Sequence, residues 1–280
     1  MTETRTTLVL GATGKTGRRV LERLTERGVP VRAGSRSGTP PFDWEDRSTW
    51  APVLEDMEAV YISYYPDVAV PGARETVGAF VELAVKSGAT RLVLLAGRGE
   101  PEADLTEQAV RDSGADWTIL RPTWFNQNFS ENFFVDEILA GELATPAGDV
   151  KEPFVDLEDV AEVAVAALTD ESHVGQTYEL TGPRLLTFAE AVREIAEAAR
   201  REIRYVPVSI DEYTLMLTGS GVPSEFVWLL RYLFTEVLDG RNAHLADGVQ
   251  RALGRPPRDF SDYARDTAAA GVWMASTVVG

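Results

Sequence analysis

The sequence of 280 residues contains no cysteine, and only three lysines and two histidines. Without cysteine the chain can form no disulfide and can carry out no thiolate chemistry. The histidines, His173 and His244, are far apart in the sequence and have no partner at ligand spacing. We therefore expect neither a structural nor a catalytic metal site, because zinc sites need clustered nitrogen, sulfur or carboxylate ligands.

Long hydrophobic runs are also missing. No stretch approaches the roughly 20 apolar residues that a membrane-spanning helix needs. The polar N-terminus, MTETRTT, lacks the basic and then apolar layout of a signal peptide. Hydrophobic residues make up 44% and charged residues 25% of the chain, which is ordinary for a globular protein. We expect a cytoplasmic protein without a membrane partner.

Positive charge is scarce relative to negative charge. The 27 Lys and Arg residues against 44 Asp and Glu residues give a formal net charge of −17 at pH 7, and the basic residues are scattered. Such a field repels nucleic acid. We therefore expect a small-molecule substrate, no nucleic-acid partner, and a monomer or homodimer.

Short apolar runs alternate with helical patterns through the first two-thirds of the chain. This alternation is typical of a parallel sheet covered by helices. In chain order, we predict strands at TLVLGA, PVRAGSR, PFDW, AVYISYY, RLVLLAG, DWTILRP and TYELTGP. The alternation stops near residue 183, so the sequence predicts an α/β, Rossmann-like, doubly wound domain over 1–182. A smaller and mostly helical C-terminal substrate lobe follows over 183–280, with a capping box at TFAE, residues 187–190.

The segment LVLGATGKTG, residues 8–17, is a candidate phosphate-binding loop. A P-loop needs a glycine five residues before the glycine of GKT, but Val9 stands there. Gly11, Gly14 and Gly17 instead follow an apolar strand and precede an amphipathic helix. That context favours a turn that holds a dinucleotide pyrophosphate at a helix N-terminus. A turn without a ligand is the alternative.

The second predicted strand ends without an acidic residue. NAD-specific enzymes usually carry one there for the ribose hydroxyls, whereas this chain has Arg32 and Arg36. Guanidinium groups form paired hydrogen bonds with phosphate, which favours NADP(H). Arginines that are merely solvated are the alternative. Asp43 and Trp44 are placed beside the adenine, although Trp44 could equally pack in the core.

Several motifs together resemble the NmrA-like branch of the atypical short-chain dehydrogenases. They are GATGKTG, VRAGSR, DW at 43–44, VYISYYPD, RLVLLAGRGEPE, SGADWTILRPTWFNQNF, PFVDLEDVAEVA and YELTGPRLLTFAEA. Within that branch, WFNQNF and GRGE are similar to segments of the ergot-alkaloid reductase type, which includes agroclavine dehydrogenase. The resemblance implies a Rossmann fold with NADP(H) across the carboxyl ends of the strands.

The resemblance also implies roles for particular residues. Arg36 would meet the 2′-phosphate. The pyrophosphate would be held by Gly11, Thr13, Gly14, Lys15, Thr16 and Gly17. The nicotinamide side would be lined by Ser63, Tyr64, Tyr65, Gly97 and Pro122.

The proton donor of the wider family is missing from this chain. Short-chain dehydrogenases use Tyr-x-x-x-Lys, but the positions four residues before the three lysines hold Gly11, Glu82 and Ala147. The helper serine or threonine is replaced by Ala96. We therefore predict hydride transfer to an iminium ion, which leaves no oxyanion, or to a conjugated C=N or C=C group protonated by water. Tyr64 or Tyr65 could act as an acid, although a phenol of pKa about 10 would be slow.

The aromatic segment after Pro122 predicts a pocket whose ring faces favour a cation. The candidate catalytic residues are Tyr64, Tyr65, Trp124 and Asn126, and the candidate pocket residues are Tyr65, Trp124, Phe125 and Asn128. We expect Phe129, Phe133 and Phe134 to belong to the core instead. The alternative function is a non-catalytic NADP(H)-binding redox sensor that acts through a protein partner. An apolar pocket favours the enzyme, since a sensor does not need one.

Overall fold

The structure is a computed structural model that describes residues 6–131 and 134–274. Its strands, in chain order, are β1 (Thr7–Leu10), β2 (Val31–Gly34), β3 (Ala59–Ile62), β4 (Arg91–Leu95), β5 (Asp116–Pro122), β6 (Glu142–Thr145), β7 (Lys151–Glu152), β8 (Gln176–Leu180), β9 (Leu186–Thr187) and β10 (Arg204–Pro207). Its helices are α1 (Lys15–Glu26), α2 (Trp50–Leu54), α3 (Ala73–Lys86), α4 (Ala103–Arg111), α5 (Val135–Ala140), α6 (Leu157–Thr169), α7 (Phe188–Ala199), α8 (Ile210–Gly219), α9 (Ser224–Tyr232), α10 (Gly248–Leu253) and α11 (Phe260–Ala269).

The chain divides into two units, each built from separate segments. The first comprises Met1–Pro122, Leu157–Leu180 and Asp247–Arg255, and the second comprises Thr123–Asp156, Thr181–Ala246 and Pro256–Gly280. This division differs from the single boundary expected at residues 182 and 183. The chain leaves the first unit after β5 and returns to it because β8 pairs with β5 and completes its sheet. The assignment of a substrate lobe to 183–280 stays a prediction.

Six parallel strands form the sheet of the first unit, in the order β2-β1-β3-β4-β5-β8. Strands β1 and β3 are buried along their whole length, as expected for strands covered on both faces. The Rossmann-like α/β class is confirmed. From β1 the chain moves to β2 on one side and then crosses to β3 on the other. In sheets of this kind ligands bind beyond the carboxyl ends of the strands at such a reversal.

The predicted strand at PFDW is wrong. Residues 41–44 are irregular, and β2 is consequently the edge of the sheet. The apolar side chain of Phe42 serves packing and does not mark a strand: its ring lies 5.0 Å from the ring of Trp44 and 5.6 Å from that of Phe80. The neighbouring prolines, Pro40 and Pro41, have no N–H group to donate to a strand ladder.

Ion pairs connect α1 with α6 in the first unit. Arg19 Nε donates to Glu158 Oε1 at 2.6 Å, and Arg23 also pairs with the Glu158 carboxylate. Arg255 Nη2 lies 2.7 Å from Asp159 Oδ1 on the same helix. The pairs of Arg19 and Arg23 with Glu158 stabilise the position of α1, the helix that begins directly after the glycine loop.

The second unit has an aromatic core. The rings of Phe129, Phe154 and Phe188 lie within 6 Å of one another, and Phe134 is also buried. The expectation that Phe129 and Phe134 belong to the core is confirmed, while Phe133 lies outside the described residues. Two small sheets, β6 with β10 and β7 with β9, accompany helices α5, α7, α8, α9 and α11.

The capping box predicted at the start of α7 is confirmed. The Glu190 backbone N–H donates to Thr187 Oγ1 at 3.1 Å, and the Thr187 backbone N–H donates to Glu190 Oε2 at 2.8 Å. These bonds satisfy two amides that a helix N-terminus would otherwise leave without partners. Over residues 6–131 and 134–274, no helix has the length and apolarity needed to cross a bilayer.

Candidate cofactor site and active site

The glycine loop connects β1 to α1 and lies against Ser63, which directly follows β3. Gly11 has φ +63°, a left-handed conformation that favours glycine. A Cβ atom on Gly11 would lie 3.4 Å from both Cβ and Oγ of Ser63. The carboxyl ends of the two strands at the reversal are therefore in contact, and a side chain at residue 11 would fill the space between them.

The other two glycines allow α1 to begin against the loop. The Gly14 N–H donates to the Gly11 carbonyl at 2.8 Å, and a Cβ on Gly14 would lie 3.1 Å from the same oxygen. A Cβ on Gly17 would overlap that oxygen outright. Close approach of this kind is what a dinucleotide loop requires. Gly14 gives α1 no side-chain cap, so the first amides of α1 are left for an anion.

The remaining residues predicted to hold the pyrophosphate differ in exposure. Thr13 is exposed, Lys15 is half-buried and Thr16 is buried. The Lys15 carbonyl accepts a hydrogen bond from Arg19 Nη1 at 2.8 Å. Because Arg19 also pairs with Glu158 of α6, it links the first turn of α1 to that helix. The roles of these residues toward a pyrophosphate stay predictions.

Arg32, within β2, and Arg36, just after it, have different surroundings. Arg32 Nη1 donates to the carbonyl oxygens of Val53 at 3.0 Å and Glu55 at 2.7 Å, so it satisfies the end of α2. Arg36 is exposed and forms no hydrogen bond or ion pair with any residue in the described part of the chain. Contact of Arg36 with a 2′-phosphate stays a prediction.

Trp44 belongs to the aromatic core of the first unit. Its ring lies 5.0 Å from that of Tyr64 and 6.0 Å from that of Trp50, and its Nε1–H donates to the Ser63 carbonyl at 3.2 Å. Asp43 Oδ1 accepts the backbone N–H of Glu45 at 3.1 Å. Through these contacts Trp44 positions Ser63 and Tyr64, which follow β3. The sequence pattern did not indicate this structural role. Contact of Asp43 and Trp44 with adenine stays a prediction.

The residues after β3 and β5 occupy the same edge of the sheet. Ser63 and Tyr64 are half-buried, whereas Tyr65 is 68% exposed. Pro122 is buried at the end of β5, and its carbonyl accepts the Arg98 N–H at 3.0 Å. The end of β5 is therefore tied to the loop after β4, which contains Gly97.

Glu100 lies beside Gly97 in that loop, and sequence reasoning missed it. The carboxyl group of Glu100 occupies the space that a Cβ on Gly97 would fill. It is hydrogen-bonded to the carboxyl group of Asp67, in the loop between β3 and α3. The motifs YYPD and RGEPE contain both acids, but nothing in either motif indicates that they meet.

Burial raises the pKa of both carboxyl groups. For Glu100 burial is the largest cause, and the charge of Asp67 adds to it, so its pKa lies well above the ordinary value. Burial also raises the pKa of Asp67, while hydrogen bonds from Ala69 and Glu100 oppose the change. Of the two carboxyl groups, Glu100 is the one whose protonated form is favoured more strongly.

The candidate residues after Pro122 lie in the second unit. The Trp124 ring lies 5.4 Å from that of Phe188 and 5.0 Å from that of Phe234, and Phe125 pairs with Val155 through the backbone. Asn128 is buried. Asn126 is fully buried, and neither its side-chain oxygen nor its side-chain nitrogen has a hydrogen-bond partner among the described residues.

The predicted site residues therefore form two groups. The first unit brings Gly11, Ser63 and Tyr64 into one set of contacts and places Gly97 beside Glu100. The second unit contains Trp124, Phe125, Asn126 and Asn128. The catalytic roles expected of Tyr64, Tyr65, Trp124 and Asn126 stay predictions.

The sequence matches the profile of the NAD(P)H-binding family over residues 11–171. The chain is 30% identical to agroclavine dehydrogenase of Claviceps fusiformis over 287 residues, which cover 96% of this chain and 99% of that protein. The chain belongs to the NAD(P)H-binding family, as an NmrA-like NAD(P)-dependent oxidoreductase. The resemblance to the ergot-alkaloid reductase type is confirmed.

Solved structures show the same fold at lower sequence identity. The NADPH-dependent quinone oxidoreductase QOR2 of Escherichia coli, in complex with NADPH, matches with a TM-score of 0.78 at 20% identity, over 93% of this chain and 99% of its own. A doubly substituted NmrA protein matches with a TM-score of 0.71 at 16% identity, over 96% and 97%.

Proposed function

We propose that this protein is an NADPH-dependent reductase that transfers hydride to a small C=N or conjugated C=C acceptor, without a Tyr-Lys proton relay. The observation that carries the cofactor choice is the contrast between Arg32, engaged by α2, and Arg36, exposed and without a partner among the described residues. A free guanidinium at the end of β2 suits a 2′-phosphate. An acid that would favour NAD(H) is absent from VRAGSR.

The residues present fit the cofactor. Gly14 and Gly17 allow the loop backbone to pack closely on itself, and Gly11 keeps the gap to Ser63 free of a side chain. The uncapped first turn of α1 favours the negative charge of a pyrophosphate. Arg36 would bind the 2′-phosphate, and the residues after β3 and β4 would face the nicotinamide. When bound, NADPH supplies the hydride; this chain's own residues orient the reactants and manage protons.

The choice of acceptor follows from the missing Tyr-x-x-x-Lys proton donor. An iminium ion accepts hydride and becomes a neutral amine, so no proton donor is needed at that step. The names of similar proteins support redox chemistry on small organic molecules. A sequence relative is an agroclavine dehydrogenase, and a structure with the same fold is a quinone oxidoreductase. We therefore place cationic C=N acceptors first and conjugated C=C acceptors second.

The cofactor proposal is tested by fluorescence titration of NADPH and NADH into wild type and Arg36→Ala. We expect Arg36→Ala to weaken NADPH binding by about 10-fold or more and to leave NADH binding unchanged, since only NADPH carries the 2′-phosphate. Arg27→Ala is the matched control, because Arg27 is an exposed arginine at the other end of α1. Equal effects on both cofactors would refute the assignment of Arg36.

The reaction is tested by loss of NADPH absorbance with cyclic iminium ions, enones and simple ketones. We expect turnover of the first two classes and little of the third. Turnover of ketones alone would contradict the proposed acceptor class. Tight NADPH binding without turnover of any class would instead favour a redox sensor that acts through a protein partner.

A further inference from the structure

We propose that the hydrogen-bonded carboxyl pair of Asp67 and Glu100 is the proton donor for acceptors that cannot be reduced by hydride alone. The inference rests on the proposed function and supplies the acid that the missing Tyr-x-x-x-Lys motif leaves open. It applies to conjugated C=C acceptors, which need one hydride and one proton, and it excludes iminium ions, which need only hydride.

Two loops at the carboxyl edge of the sheet build the pair. Asp67 follows β3, and its Oδ1 accepts the Ala69 N–H at 2.8 Å, which fixes the carboxyl group in its own turn. The next carbonyl, that of Val68, accepts the buried Thr106 hydroxyl of α4 at 3.2 Å. The loop after β3 is thereby attached to the helix that follows the loop of Glu100.

The carboxyl group of Glu100 lies where a Cβ on Gly97 would stand, just beyond the end of β4. Strand β4 is two strands from β1 and its glycine loop, and ligands of such sheets bind beyond this edge. Its Oε2 atom is buried, so this side of the carboxyl group is shielded from bulk water.

The charges around Glu100 keep it protonated. The groups that act on it are the carboxylates of Asp67, Glu102 and Glu107, all of which raise its pKa. Arg98, the cation in the same loop, donates through Nε to Glu179 at 3.0 Å. Arg121 is likewise engaged by Glu107 at 2.6 Å. A pair of adjoining buried carboxyls holds one proton, because two adjacent negative charges repel each other.

NADPH, when bound, would supply the hydride for the β carbon of the conjugated C=C group and would become NADP⁺. The π electrons would move toward the activating carbonyl. The Glu100 O–H bond would then break, and its proton would form the new C–H bond at the α carbon. The pair is left with both carboxylates ionised and recovers its proton from water before the next turnover.

The test compares two acceptors that differ only in their need for a proton: a cyclic enone and an N-alkylated cyclic iminium ion. Glu100→Gln keeps the shape of the side chain and removes the transferable proton. We expect enone turnover to fall by 10²-fold or more, as is typical when a general acid is lost, and iminium turnover to stay within about twofold. Glu26→Gln, at an exposed carboxylate in the last turn of α1, is the matched control and should affect neither.

The pH profile is the second measurement. In wild type, enone turnover should decrease as the pH rises through the pKa of the pair, and in Glu100→Gln this dependence should disappear. Equal losses with both acceptors, or an unchanged pH profile, would overturn the role of the pair. If wild type binds NADPH but reduces neither acceptor, the proposed function itself fails, which is a different result from turnover that Glu100→Gln leaves intact.

Discussion

The carboxyl group of Glu100 lies in the space that a Cβ on Gly97 would occupy. Gly97→Ala should therefore displace Glu100 and separate it from Asp67. We expect a loss of stability of about 1–3 kcal/mol, the usual cost of overpacking. In a Glu100→Ala background, Gly97→Ala should lower the free energy of unfolding much less, because the Glu100 carboxyl group no longer occupies that space. Urea unfolding of the four proteins gives the coupling between the two sites; additive losses would contradict the contact.

The Asp67 and Glu100 pair also predicts a pH dependence of stability. Because the folded state raises the pKa of Glu100, protonation favours folding. The contribution of this group is fully present below its ordinary pKa of about 4.5 and is lost as the pH rises toward the raised value. As the pH rises above about 4.5, the stability of wild type should therefore fall relative to that of Glu100→Gln. A constant difference in free energy of unfolding across this range would contradict the shift.

Of the three glycines in the loop, Gly17 is expected to tolerate substitution least. A Cβ there would overlap the Gly11 carbonyl, which is backbone and cannot rotate away. We predict that Gly17→Ala destabilises the protein by about 2 kcal/mol or more and abolishes NADPH binding. Gly78→Ala in α3 is the control, because its Cβ would meet Ala109 Cβ at an ordinary 3.6 Å. The control should be neutral or stabilising, since alanine favours helix by up to about 1 kcal/mol. Similar thermal shifts for both variants would refute this reading.

Asn126 is predicted to serve a ligand rather than the fold. Its side-chain amide is fully buried and has no partner among the described residues, an arrangement that costs about 1–3 kcal/mol. Asn126→Leu should thus leave the melting temperature unchanged or raise it, while turnover falls. Gln127→Leu is the contrasting variant, because it removes the 2.8 Å hydrogen bond to Asp156 and leaves a buried carboxylate oxygen without that donor. We expect Gln127→Leu to lower the melting temperature. If Asn126→Leu lowered the melting temperature, Asn126 would have a structural role, which would contradict this prediction.

Local patterns predicted the elements that local sequence determines. The glycine loop after β1 and the Thr187–Glu190 capping box depend on neighbouring residues, and both are found where they were expected. The strand at PFDW failed because Phe42 is apolar for packing against Phe80, a residue in a distant helix. Apolar character alone does not distinguish a strand from a segment that anchors a loop.

Relationships between distant segments could not be read from the sequence. Arg32 and Arg36 look alike in VRAGSR, and only the position of α2 shows that Arg32 is engaged. Asp67 and Glu100 meet because β3 and β4 are neighbours in the sheet. The division into units likewise follows from the pairing of β8 with β5, which the loss of alternation near residue 183 does not indicate.

The central claim is hydride transfer from NADPH, and isotope transfer tests it most directly. Wild type would be mixed with an N-alkylated cyclic iminium ion and NADPH deuterated at both hydrogens of nicotinamide C4, and the amine product would be analysed by mass spectrometry. We predict one deuterium on the former iminium carbon for each NADPH consumed. NADPH that binds tightly but is not consumed, or a product without deuterium, would contradict the account.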